Sequence, residues 1–390
     1  MSAIYDFGLT PEQEKRAKKL HEDSIVIDLL FQGPIGTYSF EDEFGDEIEK
    51  ETLADTTAEA EDSSPVGHIL HAQSLIKRWF TGGKLDGLYK RCWYESGLTA
   101  GNRQLNLSSR EKLYESAILI QREFDQKPWL IKAFHAQDIE HAKKNDLKAG
   151  IISCQDTIGF GKDLSLLEQF HGFGLRVVQL TYNNHDLVGA GCMEPNDAGL
   201  SVFGRRFVAK LNQLGIVVDT GHCGRQTTLD ACKHSTKPVV ASHTGASAVF
   251  AHNRAKSDEE IKAIAQTGGV VGIFAMPWFI APDPANTTLD HFLDHIDFVV
   301  RLVGADHAGI GTDWPMPQTK WMATSFKKHC APALGFAPGD GPSTEYVHGM
   351  KDYRSMPNIT RGLVARGYSD SDVAKILGGN WMRVFREVWK

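Results

Sequence analysis

Short apolar segments alternate with amphipathic segments along most of the 390-residue chain. The apolar segments are rich in β-branched residues, as is typical of buried strands. They are SIVIDLL, AGIISC, GLRVVQLT, GIVVDT, KPVVAS, GGVVGIF and HAGIGT. Segments with helical periodicity lie between most of them, such as FGRRFVAKLNQL, SDEEIKAIAQT and LDHFLDHIDFVVRLV. This alternation predicts parallel βα units.

The number of such units favours a (β/α)8 barrel of the TIM type, with seven strands in the segments above and an eighth around WLIKAF (129–134). A doubly wound sheet is the main alternative, but no G-x-G-x-x-G motif follows any of the strands. The pattern breaks down over 33–103, where the acidic stretch 40–65 predicts an irregular insertion, either a lid or a solvated excursion. We therefore predict one barrel domain, 1–390, with an insertion after its first strand.

Composition narrows the range of partners. The formal net charge is −7, and no stripe of lysine and arginine with interleaved aromatic residues suggests a nucleic-acid partner. We find neither the apolar segment of a secretory signal nor an apolar run long enough to cross a membrane. The six cysteines lack C-x-x-C spacing, as expected of reduced thiols in the cytoplasm. We therefore expect a cytoplasmic protein that binds neither nucleic acid nor membrane.

Polar side chains directly follow several predicted strands. In (β/α)8 enzymes the catalytic groups come from the C-terminal ends of the strands. The residues at these ends are Gln155, Asp156, Tyr182, Asn183, His185, His222, His243 and Asp313. Neutral imidazoles are common zinc ligands, and a carboxylate can bind the ion or accept a proton from its water. Two histidines and one aspartate from three strand ends therefore predict a zinc-type hydrolase.

Two other constellations carry less weight. Ser242, His243 and Asp219 could form a nucleophilic triad, but the first two are adjacent and the chain has no G-x-S-x-G elbow. His291 and His295 have the i,i+4 spacing of a helical zinc pair, yet the glutamate of an H-E-x-x-H motif is missing. Packing or surface roles fit this second pair better.

Several longer fragments, in the same order, resemble those of the renal or membrane dipeptidases, a family of zinc peptidases with an amidohydrolase-like barrel. The resemblance covers 24–388 and is weakest over 33–103. Its fragments are GLRVVQLTYNN, GLSVFGRRFVAKLNQLGIVVDTGHCG, VVASHTGA, AHNRAKSDEEIKAIAQTGGVVGI, GADHAGIGTDW and LVARGYSDSDVAKILGGNWMRVF. It implies a barrel enzyme that cleaves the peptide bond of dipeptides and that forms homodimers in many members.

The resemblance also implies roles for individual residues. The family binds two zinc ions through two histidines on one ion, an H-x-D pair on the other, a bridging glutamate and a late aspartate. His222 and His243 match the two histidines, and Asp313 matches the aspartate. Arg254, in HNRAKSD, matches the arginine that binds the substrate carboxylate.

The departures from the family pattern concern one of the two metals. Leu30 and Gln32 stand where the H-x-D pair is expected, and Gln155 replaces the bridging glutamate unless Asp156 takes its place. Tyr182 replaces the histidine of an L-T-H segment that contacts the substrate near the scissile carbonyl. The second ion thus keeps one of its protein ligands, the late aspartate. The pattern excludes a full binuclear site and predicts at most one zinc ion per chain.

We therefore predict a mononuclear metallohydrolase that cleaves a dipeptide or another small amide with metal-activated water. Asp313 would act as the base, Arg254 would bind a substrate carboxylate, and Tyr182 would donate a hydrogen bond to the developing oxyanion. The predicted contacts are His222, His243 and Gln155 to zinc, and Arg254, Tyr182 and Asn183 to the small-molecule substrate.

Two alternatives remain open. Two histidines and a neutral glutamine form a weak zinc site, so a metal-free barrel that binds a small carboxylate ligand is one of them. The other is a non-peptidase hydrolase of a small amide, lactone or modified amino acid. Metal content distinguishes the first alternative from the two enzymes, and a substrate screen distinguishes the enzymes from each other.

Overall fold

The computed structural model describes residues 5–31, 78–313 and 346–390, together with the single positions 33, 50, 76 and 328. Of the residues named above, Gln32 lies outside the described part. Helices and strands are numbered here in chain order within the described residues. No helix in these ranges is long and apolar enough to cross a lipid bilayer.

Eight parallel strands form the wall of a barrel. In sheet order they are β1 (Ile27–Asp28), β2 (Ala100–Leu105), β4 (Lys148–Cys154), β5 (Leu175–Gln179), β6 (Val217–Asp219), β7 (Val239–Ala246), β9 (Val271–Ile273) and β10 (Ala308–Ile310). The wall closes because the Leu29 amide donates to the Ile310 carbonyl (3.2 Å) and the Asp313 amide to the Leu30 carbonyl (3.1 Å). The predicted (β/α)8 barrel is confirmed.

Helices pack around this wall. They are α1 (Pro11–Asp23), α2 (Asp86–Glu95), α3 (Arg110–Gln126), α4 (Ala136–Lys144), α5 (Ser165–Phe173), α6 (Val202–Leu214), α7 (Arg225–His234), α8 (Asp258–Gln266), α9 (Pro277–Ile280), α10 (Leu289–Val303), α11 (Pro357–Ala365), α12 (Asp370–Ala374) and α13 (Asn380–Val388). The short strands β3 (Leu130–Lys132) and β8 (Ala255–Lys256) pair with β4 and β7 outside the order of the wall.

Helix α6 shows how local sequence sets an element that positions the site. The Ser201 hydroxyl accepts a hydrogen bond from the Gly204 amide (2.9 Å) and caps the first turn. Gly215, at a left-handed φ of 78°, ends the helix. Phe207 and Leu211 are fully buried against the outer face of the wall, and burial of each contributes about 1.5–3 kcal/mol. The chain therefore enters β6 in a fixed register.

The prediction for the eighth strand was wrong. The segment around WLIKAF forms β3, which pairs with β4 but does not belong to the order of the wall. The missing wall strand is β2, with the sequence AGNRQL. Its polar residues hid it from a search for apolar runs: Asn102 donates to Ser153 inside the barrel, and Arg103 forms a buried ion pair with Glu123 of α3 outside it.

The described part of the predicted insertion, 33–103, contains regular elements. Within it, α2 is a helix and the first residues of β2 belong to the wall. Apart from position 50, the acidic stretch 40–65 lies outside the described residues, so its role as a lid or excursion stays a prediction.

The interior of the barrel is apolar where the strands begin. Wall residues here are buried in one cluster with Trp381 of α13, and they include Ile27, Ala100, Ile151, Val177 and Val217. The Trp381 indole N–H donates to the Ile310 carbonyl (3.1 Å), which fixes α13 to the wall. One end of the barrel is thus a packed core, which leaves the C-terminal ends of the strands for chemistry.

Candidate functional site

His222 and His243 lie side by side at the C-terminal ends of β6 and β7. Their ring centroids are 4.8 Å apart, and both side chains are buried, with exposures of 3% and 0%. His222 follows β6 after a short turn. His243 lies inside β7, where the pairing with β9 shifts register between Ala241 and Thr244. Such irregularities redirect side chains, and they are common next to active sites.

Asn183 holds the His222 ring. Its Oδ1 lies 2.6 Å from His222 Nδ1 and also accepts from the Cys192 thiol at 3.6 Å. Because an amide oxygen only accepts, His222 Nδ1 carries the proton and Nε2 carries the lone pair. His222 Nε2 has no hydrogen-bond partner among the described residues. This contact makes Asn183 a positioning residue, while its predicted contact with substrate stays a prediction.

A second chain of hydrogen bonds holds His243. Its Nδ1 lies 2.8 Å from the Ser242 hydroxyl, which donates its proton to Asp219 Oδ2 at 2.5 Å. The hydroxyl therefore accepts from His243 Nδ1, and His243 Nε2 carries the lone pair without a partner among the described residues. The hydrogen bonds therefore run from His243 to Ser242 and from Ser242 to Asp219. Ser242 is not a nucleophile activated by His243, which disfavours the triad considered from the sequence.

Burial keeps both imidazoles neutral. It is the largest cause that lowers the pKa of His222 and of His243 well below the ordinary value, and the charges of Arg254 and Lys256 lower both pKa values further. Neutral imidazoles with free Nε2 atoms suit a divalent metal. The same two cations oppose the approach of a metal ion, so they weaken any site there.

Arg254 lies next to the histidines and is 1% exposed. Its Nη1 donates to the Gly221 carbonyl at 2.5 Å, and its guanidinium lies 5.6 Å from the centroid of the Phe274 ring. Nε and Nη2 have no partner among the described residues. These two atoms form one edge of the guanidinium, the edge that can bind both oxygens of a carboxylate.

Tyr182 stacks on His222, with ring centroids 4.0 Å apart and planes 20° from parallel. The phenol pKa is raised, first by burial and then by the charge of Asp313, while Arg254 acts in the opposite direction. The phenol therefore stays protonated and available as a hydrogen-bond donor. Its ring fixes the plane of the His222 imidazole.

Asp313 follows β10 and is 7% exposed. Its φ of 45° is left-handed, a conformation that costs a non-glycine residue about 1 kcal/mol or more. The hydrogen bond from its amide to the Leu30 carbonyl holds it there. Strain of this kind clusters at functional sites, and the position of Asp313 beside Tyr182 fits the predicted site.

Gln155 and Asp156 are engaged in local contacts. Gln155 Nε2 donates to Gln104 Oε1 at 2.6 Å, which leaves the Gln155 Oε1 atom available to coordinate a ligand. Asp156 accepts from the Ile158 amide at 3.0 Å, and burial raises its pKa to about 6. Asp156 Oδ1 thus closes a turn, and Asp156 as a substitute for the bridging carboxylate stays an alternative. Gln155 stays the predicted third ligand.

The two imidazoles present a donor pair that suits a metal ion, and the number of ions stays a prediction. A metal ion binds histidine best when one ring nitrogen is available and the other is held by a hydrogen bond. His222 and His243 meet both conditions, since each Nε2 is buried without a partner among the described residues and each Nδ1 is hydrogen bonded. No group of three or more histidine, cysteine, aspartate and glutamate side chains in the described ranges is arranged to hold a metal. On the other side the Leu30 side chain offers no donor atom, and Asp313 supplies one carboxylate.

The histidines with i,i+4 spacing, His291 and His295, have structural roles. His295 Nδ1 accepts from the Ala246 amide at 2.9 Å, and its Nε2 lies 3.2 Å from the Ile280 carbonyl. Burial lowers the pKa of His295 to about 4. His291 Nδ1 instead contacts Thr288 at the start of α10 (3.1 Å). These contacts confirm the packing interpretation for the pair.

Three interior amides close to this site were not predicted from the sequence. Asn102 and Gln104 project from β2, and Gln179 ends β5. Asn102 and Gln179 are fully buried, and Gln104 is half-buried. A signal was available in the sequence, because each is a polar residue close to the end of a wall strand. Without the β2 assignment, the first two had no place in the barrel.

Comparison with known proteins gives one family match. A family model described as Membrane dipeptidase (Peptidase family M19) matches residues 14–322 and 333–390. Among curated proteins, Dipeptidase tcpJ of Claviceps purpurea is 30% identical over 258 residues, 66% of this chain and 55% of that protein. Dipeptidase aclJ of Aspergillus oryzae is 28% identical over 231 residues, 58% of this chain and 49% of that protein. The matched region spans about half the length of these relatives.

Solved structures show the same fold. An amidohydrolase from Pseudomonas aeruginosa superposes with a TM-score of 0.72 at 28% identity, covering 96% of this chain and 99% of that chain. A metallo peptidase from Rhodobacter sphaeroides, liganded with a phosphinate mimic of the dipeptide L-Ala-D-Ala, gives a TM-score of 0.68 at 20% identity. That match covers 94% of this chain and 100% of the other.

Proposed function

Because the chain belongs to the membrane dipeptidase family, peptidase family M19, we propose that it hydrolyses the peptide bond of a dipeptide or a similar small amide. One observation carries the proposal. Two buried imidazoles with free Nε2 atoms lie beside a buried arginine whose Nε and Nη2 are free. This arrangement combines a pair of imidazoles that can bind a metal with a group that can bind a carboxylate, and in a dipeptide the C-terminal carboxylate lies one residue from the scissile carbonyl.

We assign a single divalent ion, zinc in the first instance, to His222, His243 and Gln155. When bound, such an ion lowers the pKa of a water molecule from 15.7 to about 7 and supplies the hydrolytic nucleophile. Asn183 and the Ser242 hydroxyl keep the two imidazoles in the Nδ1–H form, with the lone pairs on Nε2. A second ion is not part of the proposal.

The remaining residues bind the substrate and move its protons. Arg254 binds the C-terminal carboxylate along its Nε and Nη2 edge and so aligns the scissile carbonyl with the histidines. Tyr182 donates its phenolic hydrogen to the oxygen of that carbonyl as negative charge develops there. Asp313 accepts the proton released by the attacking water and returns it to the leaving amine.

The test is hydrolysis of a panel of dipeptides by the purified chain, with L and D residues at each position, before and after chelation. We expect turnover that requires about one zinc per chain and disappears with chelator. Failure of the zinc-loaded chain to hydrolyse any member of the panel contradicts the proposal. Turnover of amides or lactones but of no dipeptide indicates the non-peptidase hydrolase instead.

A metal-free carboxylate-binding barrel is the second candidate. The observation that favours it is the pair of cations, Arg254 and Lys256, whose charges act on both histidines. Protein purified without chelator that contains no metal, and that gains no activity with added zinc, supports this candidate. Cytoplasmic location and homodimeric assembly are proposed from the sequence alone.

A further inference from the structure

A row of neutral polar side chains lines the barrel interior from β2 to β5. Asn102 and Gln104 lie two residues apart on β2, so they share one face of the strand. Asn102 Nδ2 donates to the Ser153 hydroxyl (3.0 Å), and Gln104 Oε1 accepts from Gln155 Nε2 (2.6 Å). These four residues and Gln179 are called the amide row below.

The amide of Gln179 has a fixed orientation. Its Nε2 donates to the backbone carbonyls of Gln155 and of Thr181, the latter at 2.9 Å. Backbone carbonyls only accept, so the nitrogen must face them and Oε1 must face the other way. Gln179 is fully buried, and its Oε1 has no partner among the described residues.

Two more atoms of the amide row are also buried without a hydrogen-bond partner among the described residues. They are Asn102 Oδ1 and Gln104 Nε2. Buried polar groups are nearly always paired in folded proteins, and unpaired ones are unfavourable. Two acceptors and one donor left unpaired in one row therefore indicate a ligand that completes them.

The amide row continues into the candidate active site. A Cβ atom on Gly221 would lie 2.8 Å from Gln179 Oε1 and 3.1 Å from the Nδ1 and Cε1 atoms of His243. Gln179 and His243 therefore line the same part of the barrel wall, on either side of a residue that has no side chain. A molecule held at the histidines can reach the amide row.

The ligand chemistry follows from the unpaired atoms. A primary carboxamide has two N–H donors and one carbonyl acceptor, the complement of two acceptors and one donor. A carboxylate brings only acceptors, and none of the five side chains in the row carries a compensating charge. An ammonium group brings only donors, and an aliphatic side chain leaves all three atoms unpaired. We propose that the amide row is a subsite for a carboxamide side chain of the substrate.

The proposed function gives the direction of the substrate, and this step rests on it. With the C-terminal carboxylate at Arg254 and the scissile bond at the histidines of β6 and β7, the N-terminal residue extends towards β5, β4 and β2. The amide row then contacts the side chain of the N-terminal residue. Asparagine and glutamine are the residues that present a carboxamide there.

The test compares three dipeptides of similar size on the full chain: L-asparaginyl-glycine, L-leucyl-glycine and L-aspartyl-glycine. Binding is measured by isothermal titration calorimetry and hydrolysis by kcat/KM. Sites that hydrogen bond a polar group discriminate strongly against analogues that lack it, so we expect a preference of at least about tenfold for the asparaginyl substrate over both others. Equal binding of the asparaginyl and leucyl dipeptides overturns the subsite, because the row then holds only water.

Two near-isosteric variants test whether the amide row causes the preference for the asparaginyl dipeptide. Gln179→Met and Asn102→Leu each remove one unpaired acceptor, and we expect the asparaginyl-to-leucyl ratio to fall towards one in both. Asn212→Leu is the matched control, since Asn212 is a buried asparagine of α6 whose Nδ2 is also unpaired but lies outside the row. An unchanged ratio in both folded variants contradicts the proposal.

The two proposals fail separately. If no dipeptide is hydrolysed but calorimetry still shows the asparaginyl preference, the subsite stands and the peptidase function does not. If all three dipeptides are hydrolysed and bound without preference, the peptidase function stands and the subsite does not.

Discussion

The two sides of the barrel mouth differ in what their strand ends present. On the β6 and β7 side, His222 and His243 are buried, neutral and held through Nδ1 by neighbouring side chains. On the β10 and β1 side, Leu30 is buried at the strand end, and Asp313 is the one ionisable residue of the family pattern that remains. The same architecture therefore presents a supported pair of imidazoles on one side, and on the other a carboxylate is what remains of the family pattern.

This difference shows that a metal ligand is defined by its supporting contacts as much as by its own side chain. Asn183 and the pair Ser242 and Asp219 fix the tautomers of the two histidines. Such outer contacts set the direction and basicity of a ligand. Asp313 is instead placed by a strained backbone and by the closure of the barrel, which suits a proton acceptor better than an isolated ligand.

Removing a histidine is the strongest way to break the comparison. We expect His243→Ala to lower kcat/KM by about 10³-fold or more and to abolish zinc binding, because two of three ligands cannot hold the ion. Zinc is measured by elemental analysis of the purified variant. His234→Ala, an exposed histidine at the end of α7, is the control and should behave as the wild type. Retention of zinc by His243→Ala places the ion elsewhere.

Changing the arginine tests the substrate end of the site. Arg254→Lys keeps the charge but loses the two-atom edge, so we expect KM for dipeptides to rise about 10- to 100-fold with a smaller change in kcat. Steady-state kinetics measure both constants. Arg225→Ala is the control, since this arginine is exposed and pairs with Glu259 on the surface. An unchanged KM in Arg254→Lys removes Arg254 from the substrate site.

Removing the support of a histidine tests the comparison more finely. Asn183→Leu leaves His222 in place but frees its Nδ1, and we expect zinc affinity to fall about 10- to 100-fold. Competition with a chelating dye measures the affinity without reference to activity. Asn212→Leu controls for loss of a buried asparagine. If zinc affinity is unchanged in Asn183→Leu, the orientation of His222 depends on the Tyr182 stack alone.

The structural histidines His21 and His295 are expected to have the smallest effect, which is a dependence of the unfolding free energy on pH. Burial lowers the pKa of His21 and of His295 from 6.5 to about 4, so the unfolded chain takes up these protons first as the pH falls. Their contribution to stability is present above pH 6.5 and is lost between pH 6.5 and about 4. Each costs up to about 1.4 kcal/mol of unfolding free energy per pH unit in that interval.

Urea unfolding at several pH values measures this slope. We expect His21→Gln to reduce the slope between pH 6.5 and 4, because one group no longer titrates differently in the two states. An identical slope in wild type and variant means that His21 is protonated in the folded chain. His234→Ala again serves as the exposed control.

The sequence predicted those parts of the barrel whose signal lies in single segments. Strands β6 and β7 both begin with two buried valines, and His222 shortly after β6 and His243 in the second half of β7 lie where catalytic groups occur. Strand β2 could not be found in this way. Its inner face pairs with other polar groups, and its outer face carries Arg103, whose charge is neutralised by Glu123 from another element.

The finer arrangement of the site also depends on contacts between distant segments. The sequence places Ser242 next to His243 and near Asp219 in the fold, but the order in which they share protons depends on rotamers. The contact of Asn183 with the His222 ring has the same origin. Residue type and strand position predict which groups gather, and the hydrogen-bond geometry then decides what each of them does.

The closure of the barrel has a consequence for the order of folding. The bonds from Leu29 to Ile310 and from Asp313 to Leu30 join residues about 280 positions apart in the chain. Contacts of such separation carry the largest loop-closure entropy and form late. We expect the amides of Leu29 and Asp313 to gain protection from hydrogen exchange after those of β4 to β7 during refolding. The histidine pair can therefore assemble within a partly folded intermediate, whereas Asp313 reaches its place only when the first and last strands meet.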